Sequence, residues 1–536
     1  MRKTFLTLTL SALALVTMAG GIVTNTNQSA SFIRMPARDA SLGLDATYFN
    51  PAGMAFLKDG FHLSLNNQFI TQNRTIATTF PGLNRSEFEG KVNAPLFPSA
   101  YAVYKKDRFA VAFGFNPIGG GGGAKFEDGL PSFEMQVAGL PAMLSANNIA
   151  TTKYSYETEF EGRSIYYGMQ LSGAYKINDM ISVALGLRYV MMSNSYEGYL
   201  KNIQINPMFP AVGFTGQMVS APHFFESMES YLGATSLQLG ATGNSLQPII
   251  SNGYGDVPLA NGSLLGIPPE TVALLQGTIT ALGGDPSGMT FGQAQAFFLG
   301  ASQEYAGKAA AMGASAKATS DKEVDATQSG GGFVPFVGIH LHFDRLNIGI
   351  KYEHKASVKV KNSTKIDDVG MFPDGAEVPS DMPAMLSVGA SFKATEKLEI
   401  SAGVHSYFDK GAEYGKMINN AYVKNDQVMD KNYLEFALGL EYKLTDKFLV
   451  SGGFLGTRTG VKEIYQSDLN HSLSTNSVGL GAEYKITEKI AFNLGVMNTF
   501  YMQGKRDFAA AAPYPAYKET YDRTTFTGAI GVDISF

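Results

Sequence analysis

From residue 61 onward the chain repeatedly alternates apolar positions with small or polar ones, at a period of two. In the last such run Phe526, Ile530, Val532, Ile534 and Phe536 share one parity, while Thr527, Ala529, Gly531, Asp533 and Ser535 share the other. Ile181, Val183, Leu185, Leu187 and Tyr189 likewise oppose Ser182, Ala184, Gly186 and Arg188. Phe436, Leu438, Leu440 and Tyr442 oppose Glu435, Ala437, Gly439 and Glu441. Successive side chains on a strand point to opposite faces, so each run predicts a strand with one greasy face and one wet or small face. Tight charged turns join the runs in pairs, as in "LSGAYKINDMISVALGLRY" (171–189), "LSVGASFKATEKLEISAGV" (386–404) and "VGLGAEYKITEKIAFNLGV" (478–496).

Fourteen strands follow from this pattern: 61–70, 97–105, 108–117, 163–177, 180–197, 333–343 and 345–360, then 384–394, 397–409, 432–444, 447–459, 475–486, 489–503 and 524–536. A soluble sandwich also alternates, but its second face meets bulk water and its strands are shorter. Here the runs reach the ten or so residues a tilted membrane strand needs, and the count is even, as single-chain bacterial barrels require. Short turns (105–108, 177–180, 343–345, 394–397, 444–447, 486–489) alternate with longer connections. That matches periplasmic turns and extracellular loops. The fold class expected is all-β, a 14-stranded antiparallel transmembrane β-barrel over 61–536, with one very long outer loop at 198–332. Phe536 closes the chain on the lipid parity, and we read it as the residue that engages the outer-membrane assembly machinery. Tyr104, Tyr175, Tyr442 and Tyr484 are the expected interfacial girdle, since the chain has no Trp.

Composition narrows the class further. The 536 residues contain no run of about twenty apolar positions after the N-terminus, which excludes a helical membrane bundle. Arg2 and Lys3, then an apolar stretch from Phe5 to Val16 and small residues around Ala19, read as a secretory signal over 1–19. With no cysteine, an exported chain of this size has no disulfides and relies on ladders and packing. A net charge of -5 leaves no nucleic-acid footprint. The expected place is the bacterial outer membrane, reached through the periplasm, as a monomer.

Residues 20–60 do not alternate. "SASFIRMPARDASLGLDATYFNPAGMAFLKDG" reads as small helices and turns, too short to fold alone, and the interior of the barrel is its economical location. In this segment lies Asn50-Pro51-Ala52-Gly53, just ahead of the first strand. The first three residues of that tetrapeptide, Asn50-Pro51-Ala52, with the "LSGAYKIND" hairpin, the strand count and the terminal Phe, together resemble the FadL family of outer-membrane transporters for long-chain fatty acids and other hydrophobic compounds. The resemblance implies an N-terminal hatch, with Asn50 to Gly53 meeting the barrel wall. It also implies passive uptake, by outer-loop capture, binding in the lumen and release through a gap in the wall. The long third outer loop and the lack of Trp depart from the family. A general porin or a surface adhesion protein is the alternative reading.

The third strand breaks its own pattern. "AVAFGFNPIGGGGG" runs into Asn116-Pro117 and then Gly119, Gly120, Gly121, Gly122 and Gly123. Proline removes a ladder donor and glycines bend easily, so the stretch is either a strand end or, as the resemblance implies, a wall opening. Lumen-facing or hatch cations are candidates for a ligand carboxylate: Arg34, Arg38, Lys58, Arg188 and Lys351. In the long loop, Phe297 and Phe298 are candidates for catching apolar ligands. His340 and His342 share a face without a third metal ligand, His62 and Ser64 share a face without a triad, and the glycine run lacks the ending of a phosphate loop. No enzyme, cofactor or metal is expected; the partners are the bilayer and hydrophobic small molecules, fatty acids first.

Overall fold

The computed structural model describes residues 24–418, 421–511 and 514–536. The expected signal (1–19) and residues 20–23 lie outside them. The described chain forms two compact units: a large one of the residues up to 136 with 158–200 and 322–536, and a smaller one of 137–157 and 201–321.

The large unit is a closed ring of fourteen antiparallel strands. In chain order they are β1 (Gly60–Thr78), β2 (Glu87–Lys106), β3 (Phe109–Phe126), β4 (Tyr154–Lys176), β5 (Ile181–Ile205) and β6 (Lys322–His342). β7 (Leu346–Glu353) resumes at Lys359–Asp367, and β8 (Met385–Lys393) is preceded by a short piece, Glu377–Pro379. β9 (Leu398–Tyr407), β10 (Tyr433–Lys443), β11 (Phe448–Arg458) and β12 (Thr475–Thr487) follow. β13 (Ile490–Tyr501) resumes at Gly504–Phe508, and β14 (Tyr517–Ser535) completes the ring. β14 pairs back onto β1, with Leu65 opposite Val532 and Asn66 opposite Gly531.

Several boundaries differ from the sequence reading. β1 and β2 continue past the apolar belt, pairing from Thr71–Asn93 to Ala77–Glu87, and β5 and β6 extend to 205 and from 322. Beyond the belt the exposed positions are polar (Thr71, Asn73, Glu87, Glu89) while Ile76 and Phe88 stay buried, so the apolar outer face that marks membrane strands is lost while the ladder continues. The long connection is therefore 206–321 rather than 198–332. The strand read as 345–360 is interrupted after Glu353, because the Asp381 carboxylate takes the Val358 amide (3.1 Å) and the Lys355 ammonium (2.8 Å).

The two parities separate as the alternation requires. Leu171, Leu185, Leu438, Leu480, Leu494 and Phe526 are exposed on the outer face, a band that water would penalise and lipid would not. Tyr104, Tyr175, Tyr442 and Tyr484 are exposed near the short turns. Phe536 lies with its ring 5.6 Å from Phe61, and its amide donates to the Phe61 carbonyl (2.9 Å). Facing inward are Ser64, Ser172, Ser182, Arg188, His340, Ser391 and His405, all buried. What buries them is the N-terminal segment: α1 (Ala30–Arg34), α2 (Ala46–Phe49) and a 3-10 turn (Pro51–Phe56).

The smaller unit is built around three helices, α3 (Ala221–Ser245), α4 (Pro269–Ala281) and α5 (Phe291–Ala318). Thr290 and Gln293 close a capping box at the start of α5. α3 meets α5 through reciprocal bonds, Ser236 Oγ to the Ser302 carbonyl (2.7 Å) and Ser302 Oγ to the Ser236 carbonyl (2.8 Å). Leu239, Leu275, Ile279, Phe291 and Phe298 form its core.

Candidate functional site

The interior of the barrel is organised by Asn50. Its side-chain oxygen accepts the Ala52 amide (3.3 Å) and caps the 3-10 turn, which Pro51 opens without a wasted donor. Its amide group donates to the Ile339 carbonyl of β6 (2.9 Å), and Ser182 of β5 donates to the Ala52 carbonyl (2.7 Å). A Cβ on Gly53 would meet the Ser41 carbonyl at 2.5 Å, so only glycine fits. The tetrapeptide thus lies on the inner wall at β5 and β6, each residue set by a local constraint.

The wall answers with glycines of its own. At Gly349, Gly389 and Gly403 a Cβ would run into Asp39; at Gly439 into Met35, at Gly453 into Pro36, and at Gly479 into the Ile33 carbonyl. These inward glycines on β7 to β12 make a track against which residues 33–39 lie closely, by backbone at Gly349 and Gly479 and by side chain at the others. Sequence reading noted one of them, Gly439, as a small residue of a wet face, but not that such glycines follow the path of the N-terminal segment. Their signal was glycine recurring at mid-strand inward parity, where a strand gains nothing from it.

Polar anchors complete the attachment. Asp39 accepts from His405 Nε2 (2.6 Å), whose Nδ1 faces Glu435 (2.7 Å); Thr26 donates to the same Glu435 (3.2 Å). Lys351 donates to the Tyr48 carbonyl (2.6 Å), and Gln170 to the Thr47 carbonyl.

Of the five cations predicted for a ligand carboxylate, Arg34, Arg38, Arg188 and Lys351 are already partnered, and Lys58 is exposed. Arg188 forms a two-point pair with Glu353 (2.7 and 2.9 Å), and Lys351 pairs with the same carboxylate (2.7 Å). Arg34 is held by Glu441, Glu483 (3.3 Å) and Ser451 (2.9 Å), and Arg38 by Asp45 (2.6 Å). The Lys58 carbonyl caps His62 Nε2 (2.9 Å), and His62 Nδ1 contacts Ser535 (2.8 Å) rather than Ser64. His340 and His342 share Asn347 (3.3 and 2.6 Å), and no cluster able to hold a metal occurs among the described residues. Phe298 is fully buried in the core of the helical unit and Phe297 packs against it, so both rings hold helices together.

The broken strand is the other half of the site. β3 pairs with β2 from Lys106–Phe109 to Ala100–Phe115, and again at Lys91–Lys125 and Gly90–Phe126. Between these stretches, residues 92–99 and 116–124 are not paired with each other. On its other side β3 stays with β4, through register shifts at Pro117, Gly119 and Gly122. Gly120 has φ +95°, and Gly123 ends the run opposite Arg163. Ile118 and Asn116 are buried. The N-terminal segment supplies what β2 does not: Thr24 bridges to Gly119, the Asn25 amide donates to the Ile118 carbonyl (2.8 Å), and Asn116 donates to Gln28 (3.0 Å). Gly121 is exposed, and its carbonyl accepts from Arg74 of β1 (2.7 Å).

This architecture has counterparts among solved structures. A Pseudomonas aeruginosa FadL homologue superposes with a TM-score of 0.56 at 13% identity, covering 96% of this chain and 99% of that one. The chain has the FadL-type barrel fold. The Pseudomonas putida toluene transporter TodX matches with a TM-score of 0.50 at 14% identity, over 96% of this chain and all 100% of the other. No family model and no curated protein matches the sequence itself. At such identities the FadL-type likeness concerns the fold, and the residues of the site must carry any argument about the ligand.

Proposed function

We propose that this protein is an outer-membrane channel for passive uptake of hydrophobic molecules, with long-chain fatty acids as the leading ligands. Ligand is caught at the outer loops, held in the lumen above the N-terminal segment, which acts as a hatch, and released sideways at the break in β3. The single observation that carries this reading is the unpaired stretch between 92–99 and 116–124. Unpaired backbone at membrane depth is costly unless it lines a passage or is covered by protein. Here the hatch covers part of it, so movement of residues 24–28 would expose the gap. Toluene transport by TodX is of the same kind. A porin requires an open polar lumen, and the buried contacts of residues 26–55 argue against one.

The test is uptake of labelled oleate, labelled toluene and a small sugar by cells expressing the protein. Oleate or toluene should enter and the sugar should not. Sugar passing while both hydrophobic probes are excluded would overturn the reading.

A further inference from the structure

With Arg34, Arg38, Arg188 and Lys351 neutralised, a ligand carboxylate needs another partner, and the wall holds one. Arg74 of β1 and Arg523 of β14 are direct cross-strand partners. Both follow the inward parity of Ile76 and Tyr521, which are buried, and both are themselves half-buried. Like charges placed directly opposite destabilise a ladder, so such a pair is normally divided by a carboxylate. None is there. Among the described residues Arg74 bonds only to Gln72 Oε1 (2.7 Å) and the Gly121 carbonyl (2.7 Å). Arg523 rests on the Tyr501 ring (5.2 Å), and its Nε is buried without a hydrogen-bond partner. The one nearby carboxylate bond, from the Arg523 amide to Asp522 (2.7 Å), engages the backbone. Thr525 adds a hydroxyl between Gln72 (2.8 Å) and Tyr501 (3.1 Å).

Next to this charge lies apolar surface. Tyr521 belongs to a cluster with Val92, Phe126 and Leu473, flanked by the partly buried Tyr501, Leu469 and Met371. We propose that Arg74 and Arg523 form the docking point for the anionic head of a single-chain amphiphile, a carboxylate with a long apolar tail, at the outer end of the lumen. Two guanidiniums with free N–H groups match the two oxygens of a carboxylate, and the anion removes their mutual repulsion. Because Arg74 also holds Gly121, the bound head lies beside the glycine run of β3. This rests on the uptake reading and specifies its ligand as charged at one end.

The experiment is equilibrium binding of labelled laurate and of labelled dodecanol to the purified full-length protein in detergent. Arg523→Gln and Arg74→Gln are compared with wild type, and Arg523→Lys serves as the conservative variant. Laurate should bind about tenfold or more weakly to the Gln variants, in line with loss of a charged hydrogen bond, while dodecanol changes little. Arg523→Lys should recover part of the loss. Equal weakening of laurate and dodecanol, or unchanged laurate binding in variants that fold, would overturn the proposal. Wild-type protein that binds dodecanol as tightly as laurate would also overturn it while leaving hydrophobic uptake standing. Failure of wild type to bind either probe would count against the uptake reading itself.

Discussion

Gly120 has φ +95°, and a Cβ there would strike the Ser164 backbone on β4. Gly120→Ala therefore combines an unfavourable backbone conformation with a clash, and should cost about 1–3 kcal/mol. A thermal unfolding shift of the purified barrel checks it; an unchanged midpoint would mean the bend has another cause. Arg34 makes a comparable case from charge. Arg34→Met would leave Glu483 without its cation and Glu441 with only the longer contact to Arg38 (3.7 Å), at a cost of about 3–5 kcal/mol. The same unfolding measurement should show it, and Glu483→Gln in the Arg34→Met background should restore part. These residues also show how far sequence reaches at this scale. Parity correctly turned Arg188 and Lys351 inward, because it depends only on the pleat, and Glu353 lay two positions from Lys351. Parity says nothing of partners, and Glu441 lies 407 positions from Arg34. Arg74 and Arg523 were passed over because they fall beyond the strand ends that alternation marks.

At the scale of elements, the glycine track and the N-terminal segment specify each other. Gly403→Leu places a side chain where the Asp39 carboxylate lies and should lift residues 33–39 off the wall. Ion conductance in planar bilayers should then rise; unchanged conductance would show that the segment does not close the lumen. The outer connection after β9 offers a test by pH. Burial pushes the Asp409 carboxyl up to about 7 and the Lys416 ammonium down to about 7. The Asp409 contribution is fully present below about pH 4 and is lost as pH rises toward 7. The Lys416 penalty is full below about 7 and is relieved as pH rises toward about 10. The two costs coincide near pH 7, so hydrogen exchange across 408–418, corrected for intrinsic rates, should be fastest there relative to pH 5 and pH 9. A minimum at pH 7 would contradict the assignment. In the sequence, the non-alternating segment ahead of β1 was visible because it breaks the period. Its path along the wall was not, since that depends on the inward glycines of six different strands. The helices of 206–321 were visible as helices, but Phe297 and Phe298 looked like capture surface because amphipathic pattern alone does not distinguish a helix packed on its neighbour from one facing solvent.

At the scale of the molecule, the barrel was legible because the same hairpin recurs and the turns alternate short and long, a redundancy that tolerates errors at individual ends. The break in β3 was legible only as a composition anomaly; whether Asn116 to Gly123 ended the strand or bent it depended on pairing with β2, which no local pattern contains. The fold, with its strand closed on one side by β4 and bridged by Thr24 and Asn25 on the other, makes that stretch the centre of the account. Its most direct test replaces the run with Gly119→Val, Gly120→Thr, Gly121→Val, Gly122→Thr and Gly123→Val, and measures uptake of labelled oleate by cells carrying equal amounts of heat-modifiable, folded barrel. The account predicts uptake reduced to the level of cells lacking the protein. Wild-type uptake by the folded variant would contradict it.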